Sequence, residues 1–260
     1  MNEMPKFAAN LSMMFNEHTF LERFQAAADA GFKAVEYLFP YDFPAEEVKA
    51  VLDNAGLKQA LFNIVPGDWA AGERGLASLP ERRADFIAAV DKSIYYAKVI
   101  RTPLLHLMSG IAPHDDPSAI ASYRESLKIA ADKAGEAGIT VVIEPINKRD
   151  MPGYFLKDFN RALDFISELN QPNVKLQFDV YHRQILHGDV VMALREVMPV
   201  IGHIQIASVP LRNEPNTGEL NDSRIFTEID ALGYQGYIGC EYRPAAGTTD
   251  GLDWLKPYAS

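Results

Sequence analysis

Four apolar runs in this chain each end on an oxygen-bearing side chain. "VVIEP" delivers Glu144, "LQFDVYH" delivers Asp179 with His182 three residues on, "GHIQIAS" delivers Gln205, and "IGCEYRP" delivers Glu241. The separations are 35, 26 and 36 residues, each near the length of one strand-plus-helix unit. An aspartate or glutamate leaving an apolar core is costly unless something there wants negative charge. Three carboxylates brought to one rim repel and cannot all stay ionised. A divalent cation resolves that conflict. Three carboxylates with an amide oxygen form a hard, all-oxygen donor set that suits Mg2+ or Mn2+ better than Zn2+. Taken singly, each residue has a plainer use. A strand-end glutamate can cap a helix or make a rim ion pair, Asp179 can cap the segment after it, and His182 can be a satisfied rim histidine. The recurrence on successive strand ends carries the metal reading. His106 and His203 lie inside strand patterns and read as core or supporting residues, whereas His18, His114 and His187 read as solvated. Glu36, within "AVEYLF", is expected to point into the protein, where it needs a partner.

These residues converge only if the runs are neighbouring strands. Strand-like segments fall at 7–12, 34–39, 59–65, 104–110, 140–147, 174–180, 202–208 and 236–242. Helical periodicity fills the gaps, as in Ile120, Tyr123, Leu127, Ala130 and Ala134. A junction recurs: "AGF" (30–32), "AGL" (55–57), "AGI" (137–139) and "LGY" (232–234) place Gly after a helix and an apolar residue before the next strand. Glycine takes the left-handed helix-terminating conformation without steric cost. The repetition predicts strand–helix units around a parallel sheet. Eight units in 260 residues predict a (β/α)8 TIM barrel spanning 1–260 as a single domain, since such barrels typically take ~250 residues. A doubly wound open sheet is the alternative, and no GxGxxG follows a strand. One connection is long: Pro66–Arg83, "PGDWAAGERGLASLPERR", which reads as a lid carrying Trp69 or as a surface Ω-loop.

Composition narrows the partners. The chain is 48% apolar and 23% charged, with net charge −10 and pI about 5.1. It offers no basic field for nucleic acid or an anionic membrane surface. Cys240 is the only cysteine, so no internal disulfide forms, and a cytoplasmic protein is expected. The start, "MNEMPKFAANLSMMF", lacks the pattern of a signal peptide. No apolar run approaches the ~20 residues that span a bilayer. Homo-oligomerisation is compatible with the sequence.

"FAANLSMMF", "PGDWAAGERGL", "EPIN", "QFDVYH", "GHIQIA" and "GCEYRP" together resemble the hydroxypyruvate isomerase family of the xylose-isomerase-like barrel superfamily, in order and over essentially the whole chain. The resemblance implies catalytic glutamates at Glu144 and Glu241, metal ligands at Glu144, Asp179, Gln205 and Glu241, and substrate contacts from His182 and Arg212. Related sugar epimerases carry His where Gln205 stands. The implied activity is aldose–ketose isomerisation of a small sugar acid, hydroxypyruvate to tartronate semialdehyde, through a metal-assisted enediolate. The alternative is 2-dehydrotetronate to 3-dehydrotetronate, which "EPINKRDMPGYF" and "IQIASVPLRNEPNTGELN" resemble somewhat more. A sugar epimerase or a non-catalytic binding barrel ranks lower. The substrate carboxylate needs a cation, for which Arg212 and Arg74 are the candidates. Trp69, on the lid, is a further candidate substrate contact, and the lid would keep water from the intermediate. An abasic-site endonuclease on a similar barrel would need more histidine ligands and a basic groove.

Overall fold

A computed structural model describes residues 5–258. Residues 1–4, on which part of the signal-peptide reading rests, and residues 259–260 lie outside the described residues. The strands form a closed barrel in chain order, β1 to β8. They are β1 Lys6–Asn10, β2 Ala34–Glu36, β3 Lys58–Asn63, β4 Leu104–His106, β5 Thr140–Ile143, β6 Val174–Asp179, β7 Ile201–Ile206 and β8 Tyr237–Cys240. The helices are α1 Arg23–Asp29, α2 Ala45–Asn54, α3 Arg83–Ile100, α4 Pro117–Glu136, α5 Phe159–Leu169, α6 Val180–Leu186, α7 Val190–Val197 and α8 Asp222–Ala231. All eight expected strands are present, in parallel pairs wherever the register is defined. Several end earlier than the apolar runs do. Leu107 and Met108 are buried but lie beyond β4, so burial continues where the strand ladder has stopped.

The glycines of the recurring junction all have positive φ: Gly31 at 95°, Gly56 at 66°, Gly138 at 70° and Gly233 at 76°. Each ends a helix and aims the chain back to the barrel. The long helix α4 starts at Pro117 behind Asp116, whose side chain accepts from Ser118 N at 3.0 Å. Its buried stripe runs Ala119, Tyr123, Leu127, Ala130 and Ala134, the face the periodicity predicts. Among the described residues no helix is long and apolar enough to cross a membrane.

The contacts divide the chain into two compact units. One comprises, among the described residues, 5–38, 46–60 and 178–258. It packs Ala8, Ala34 and Ala60 together with Tyr237. Phe7 meets Phe226 and Trp254 edge-on, with ring centroids 5.1 and 5.0 Å away. The other comprises Phe39–Ala45 and Leu61–Gln177. Its core includes Tyr123 against Phe155 and Phe165 at 5.2 and 4.8 Å.

Candidate active site

The period of two along a strand decides which side chains face inward. On β7 it puts His203 and Gln205 on one face, and at the end of β8 it puts Gly239 with Glu241. Register aligns these layers: Asn10 pairs with Glu36, Gln205 with Gly239, and Ala8 with Gly239. Ile143 pairs with Leu176, so Glu144 and Asp179 follow from the ends of neighbouring strands.

Asp179 does two things. Its Oδ1 caps α6, accepting from Tyr181 N at 2.6 Å and His182 N at 3.1 Å. Its Oδ2 is buried and has no hydrogen-bond partner, with Arg212 Nη2 and His182 Nε2 each 3.9 Å away. The capping role and the ligand role are therefore compatible, because they use different oxygens. Burial raises the Asp179 carboxyl above the ordinary aspartate range, against the pull of Arg212 and the two backbone N–H groups. Arg212 is 8% exposed. Its Nη2 donates to Glu241 Oε2 at 2.5 Å, and its guanidinium lies 4.9 Å from the Tyr181 ring centroid. It sits in the left-handed region, φ 61°, and the backbone holds it there: its N–H donates to Ser208 O at 2.8 Å and its carbonyl accepts from Arg243 N at 2.7 Å. Burial pushes the Glu241 carboxyl up to about 8, opposed by Arg212 and reinforced by Asp179 and Glu36.

Beneath these groups Glu36 is fully buried. Its Oε1 accepts from Asn10 Nδ2 at 2.9 Å and Gln205 Nε2 at 2.8 Å, and its Oε2 lies 2.6 Å from His203 Nε2. The partner that Glu36 requires is thus His203. Asn10 Nδ2 also reaches Glu241 Oε1 at 3.4 Å.

In the other unit Glu144 is buried, with Oε2 3.6 Å from His106 Nε2. His106 Nδ1 meets Asn63 Oδ1 at 3.3 Å. That oxygen accepts from Nδ1 when the ring proton sits there, and Nε2 is the ring nitrogen that faces Glu144. Tyr154 accepts from Ser109 N at 2.9 Å, and burial raises its hydroxyl pKa, as does the charge of Glu144.

Asp179, His182 and Glu241, all in the first unit, are buried, and each offers a ligand atom such that these atoms lie within 4.8 Å of one another. This buried cluster could hold a metal ion. Asp179 Oδ2, a buried acceptor without a donor, is the atom that fits a cation most directly. His182 belongs to this cluster, and Gln205 joins it from below through Glu36 and Asn10.

Trp69 and Arg74 form a pair of their own, with the guanidinium 3.8 Å over the indole and Arg74 Nη1 donating to Trp69 O at 3.0 Å. Trp69 packs on Phe39, ring centroids 5.0 Å apart. The 66–83 connection is less free than a hinged lid. Ser78 N donates to Ser109 O at 2.8 Å and Gly110 N to Arg74 O at 3.1 Å. Gly75 has φ +108°, and a Cβ there would lie 2.3 Å from Met108 O, so its second half is docked on the chain after β4. Asn10 and Asn63 are polar neighbours of these carboxylates that the strand-end reading passed over, whereas His106 takes the supporting place expected of it. The same rule, applied to "FAAN" and "LFN", reaches Asn10 and Asn63.

This arrangement defines a class. Residues 24–258 match the xylose isomerase-like TIM barrel family, and the chain belongs to it. It is 57% identical over 257 residues to the 2-oxo-tetronate isomerase of Cupriavidus necator, covering 98% of this chain and 99% of that one. It is 41% identical to the hydroxypyruvate isomerase of Escherichia coli, covering 98% and 100%. A solved structure from Brucella melitensis, described as an AP endonuclease of family 2, superposes with TM-score 0.96 at 46% identity, covering 99% and 100%. The chain is an enzyme of the isomerase class, akin to the sugar-acid isomerases.

Proposed function

We propose that this enzyme interconverts 2-oxo-tetronate and its 3-oxo isomer by moving a proton between C3 and C2. The observation that carries the reading is the buried group of Asp179, His182 and Glu241, in which Asp179 Oδ2 has no hydrogen-bond partner. The four-carbon acid is favoured over hydroxypyruvate because the relative bearing the first name is 57% identical and the relative bearing the second is 41% identical. Hydroxypyruvate is the second reading, and its chemistry is the same.

One of Glu144 and Glu241, as carboxylate, takes the C3 proton alpha to the C2 carbonyl. The resulting enediolate carries its charge over both oxygens. The other glutamate, protonated, gives its proton to C2, and the proton of the C3 hydroxyl passes to O2. Burial raises the affinity of Glu241 for a proton, which helps the pair hold one proton between them. Glu144, Asp179, Gln205 and Glu241, with His182 beside them, would hold Mg2+ or Mn2+, which when bound supplies Lewis-acid polarisation of the substrate oxygens. Arg212, bonded to Glu241, is the first candidate cation for the substrate carboxylate, with Arg74 on the Trp69 loop as the second. A nuclease reading is disfavoured: the cluster holds one histidine and the net charge is −10. The lone, buried Cys240 supports a cytoplasmic setting.

The test is kcat/KM for both acids, each with Mg2+, with Mn2+ and after chelation. The expected result is turnover of both with preference for 2-oxo-tetronate. A preference for hydroxypyruvate of tenfold or more would install the second reading.

A further inference from the structure

We propose that Glu36 is a positioning residue that fixes the side-chain amide of Gln205, presenting the amide nitrogen to itself and the amide oxygen to the Asp179–Glu241 group. The proposal rests on the reading of Gln205 as a metal ligand. A glutamine amide has two faces of nearly equal shape, one a donor and one an acceptor, and only its partners decide which way it points. An ionised carboxylate is acceptor-only, so a glutamine against it must turn its nitrogen inward. Glu36 meets that requirement from the barrel interior. Its Oε1 takes Gln205 Nε2 at 2.8 Å and Asn10 Nδ2 at 2.9 Å, and its Oε2 is held by His203 Nε2 at 2.6 Å.

The fold makes room for this carboxylate at Gly239. A Cβ on Gly239 would lie 2.2 Å from Glu36 Oε2, and Gly239 is the register partner of Gln205. Glu36 and His203 are both buried, so the pair is not there for solubility. Burying a carboxylate and an imidazole inside a barrel is costly, and an apolar layer would fill the same space. Its distinctive product is an oriented Gln205, with Asn10 as a strut to Glu241 at 3.4 Å. Metal ligands are commonly oriented by such outer partners, whose loss typically costs about 10- to 100-fold in metal affinity.

The experiment is Mn2+ titration of the full chain, followed by electron paramagnetic resonance, for wild type, Glu36→Met, Glu36→Gln, Gln205→Ala and the Glu36→Met/Gln205→Ala double variant. Glu36→Met removes the acceptor, and the expected Kd rises about 10- to 100-fold. Glu36→Gln can still offer an oxygen to Gln205 and Asn10, and its nitrogen can donate to His203 Nε2 once the imidazole proton moves to Nδ1, so its Kd stays within about threefold of wild type, a change of under one order. In the Gln205→Ala background the Glu36→Met loss shrinks to about threefold or less, because residues acting through one another are not additive. A Glu36→Gln loss as large as that of Glu36→Met, or full additivity with Gln205→Ala, overturns the proposal in favour of a charge effect. Should Glu36→Met not fold, amide exchange in the wild-type apoprotein decides. The Gln205 Nε2 protons, assigned by their loss in Gln205→Ala, are expected to exchange far more slowly than those of surface glutamines, and equal exchange overturns the proposal. A wild type that takes no Mn2+ sinks the metal reading, while this exchange measurement still judges the Glu36–Gln205 contact.

Discussion

Gly239→Ala is a one-methyl change with a large expected consequence. The new Cβ would stand 2.2 Å from Glu36 Oε2 and 2.4 Å from Oε1. Carbon and oxygen ordinarily approach no closer than about 3.3 Å, so the carboxylate must withdraw by about 1 Å. Tip atoms of a flexible side chain usually escape such a clash cheaply. Glu36 cannot, because its oxygens are tied to His203, Asn10 and Gln205 at 2.6, 2.9 and 2.8 Å. Hydrogen bonds to charged groups contribute about 1.5–3 kcal/mol each. Disrupting two of the three costs about 3–6 kcal/mol, and replacing a strand glycine by alanine returns up to about 1 kcal/mol. The net loss is about 2–6 kcal/mol, read as a fall in the urea midpoint at unchanged slope and in Tm by roughly 4–24 °C. The clash is specific, so in a Glu36→Ala background Gly239→Ala should be nearly neutral. Wild-type stability and activity in Gly239→Ala, or an equal loss in both backgrounds, would refute the reasoning.

Asp179→Asn keeps the Oδ1 cap on Tyr181 and His182 but removes the charge, so it should weaken Mn2+ binding more than Gln205→Ala does. Burial already disfavours its ionised form, so the metal-free Asp179→Asn protein should be at least as stable as wild type, measured by urea unfolding in chelator. Arg212→Lys keeps the charge but loses the bifurcated grip, and an unchanged KM and kcat would remove Arg212 from substrate binding. Asp222, at the start of α8, accepts from Asn216 N at 2.6 Å through Oδ2, while Oδ1 has no hydrogen-bond partner. Burial pushes its carboxyl up from 3.8 to about 6. The folded state then holds more protons than the unfolded one between these values, so stability falls as pH rises through that window. Asp222→Asn keeps the acceptor and removes the titration, so from pH 4 to 7 it should gain about 2 kcal/mol relative to wild type, and parallel stability–pH curves would contradict this.

The barrel was legible because its signals are local and repeated. Gly31, Gly56, Gly138 and Gly233 end four of the helices with positive φ, just ahead of β2, β3, β5 and β8. The carboxylates were legible because a strand end is the one place in this fold where apolar sequence hands over to chemistry. What surrounds them was not. Arg212 reaches Glu241 from a left-handed position two residues after a cis Val209–Pro210 bond, which no periodicity announces. His203 and Glu36 stand 167 residues apart, and only closure of the barrel makes them a pair. The loop at 66–83 looked free by its length, but the space that docks Gly75 against Met108 is a property of the fold rather than of the segment.

The most direct test of proton transfer between Glu144 and Glu241 is proton NMR in D2O with Mg2+ and 2-oxo-tetronate. It compares wild type with Glu144→Gln and Glu241→Gln, which preserve shape while removing the acid–base group. Wild type should form the 3-oxo isomer and place solvent deuterium at C2. Each variant should lose about 10²–10⁴-fold in isomerisation, and the one that serves as base should lose C3 exchange as well. Near-wild-type isomerisation in either variant, or no isomerisation of 2-oxo-tetronate or hydroxypyruvate by metal-loaded wild type, would contradict it.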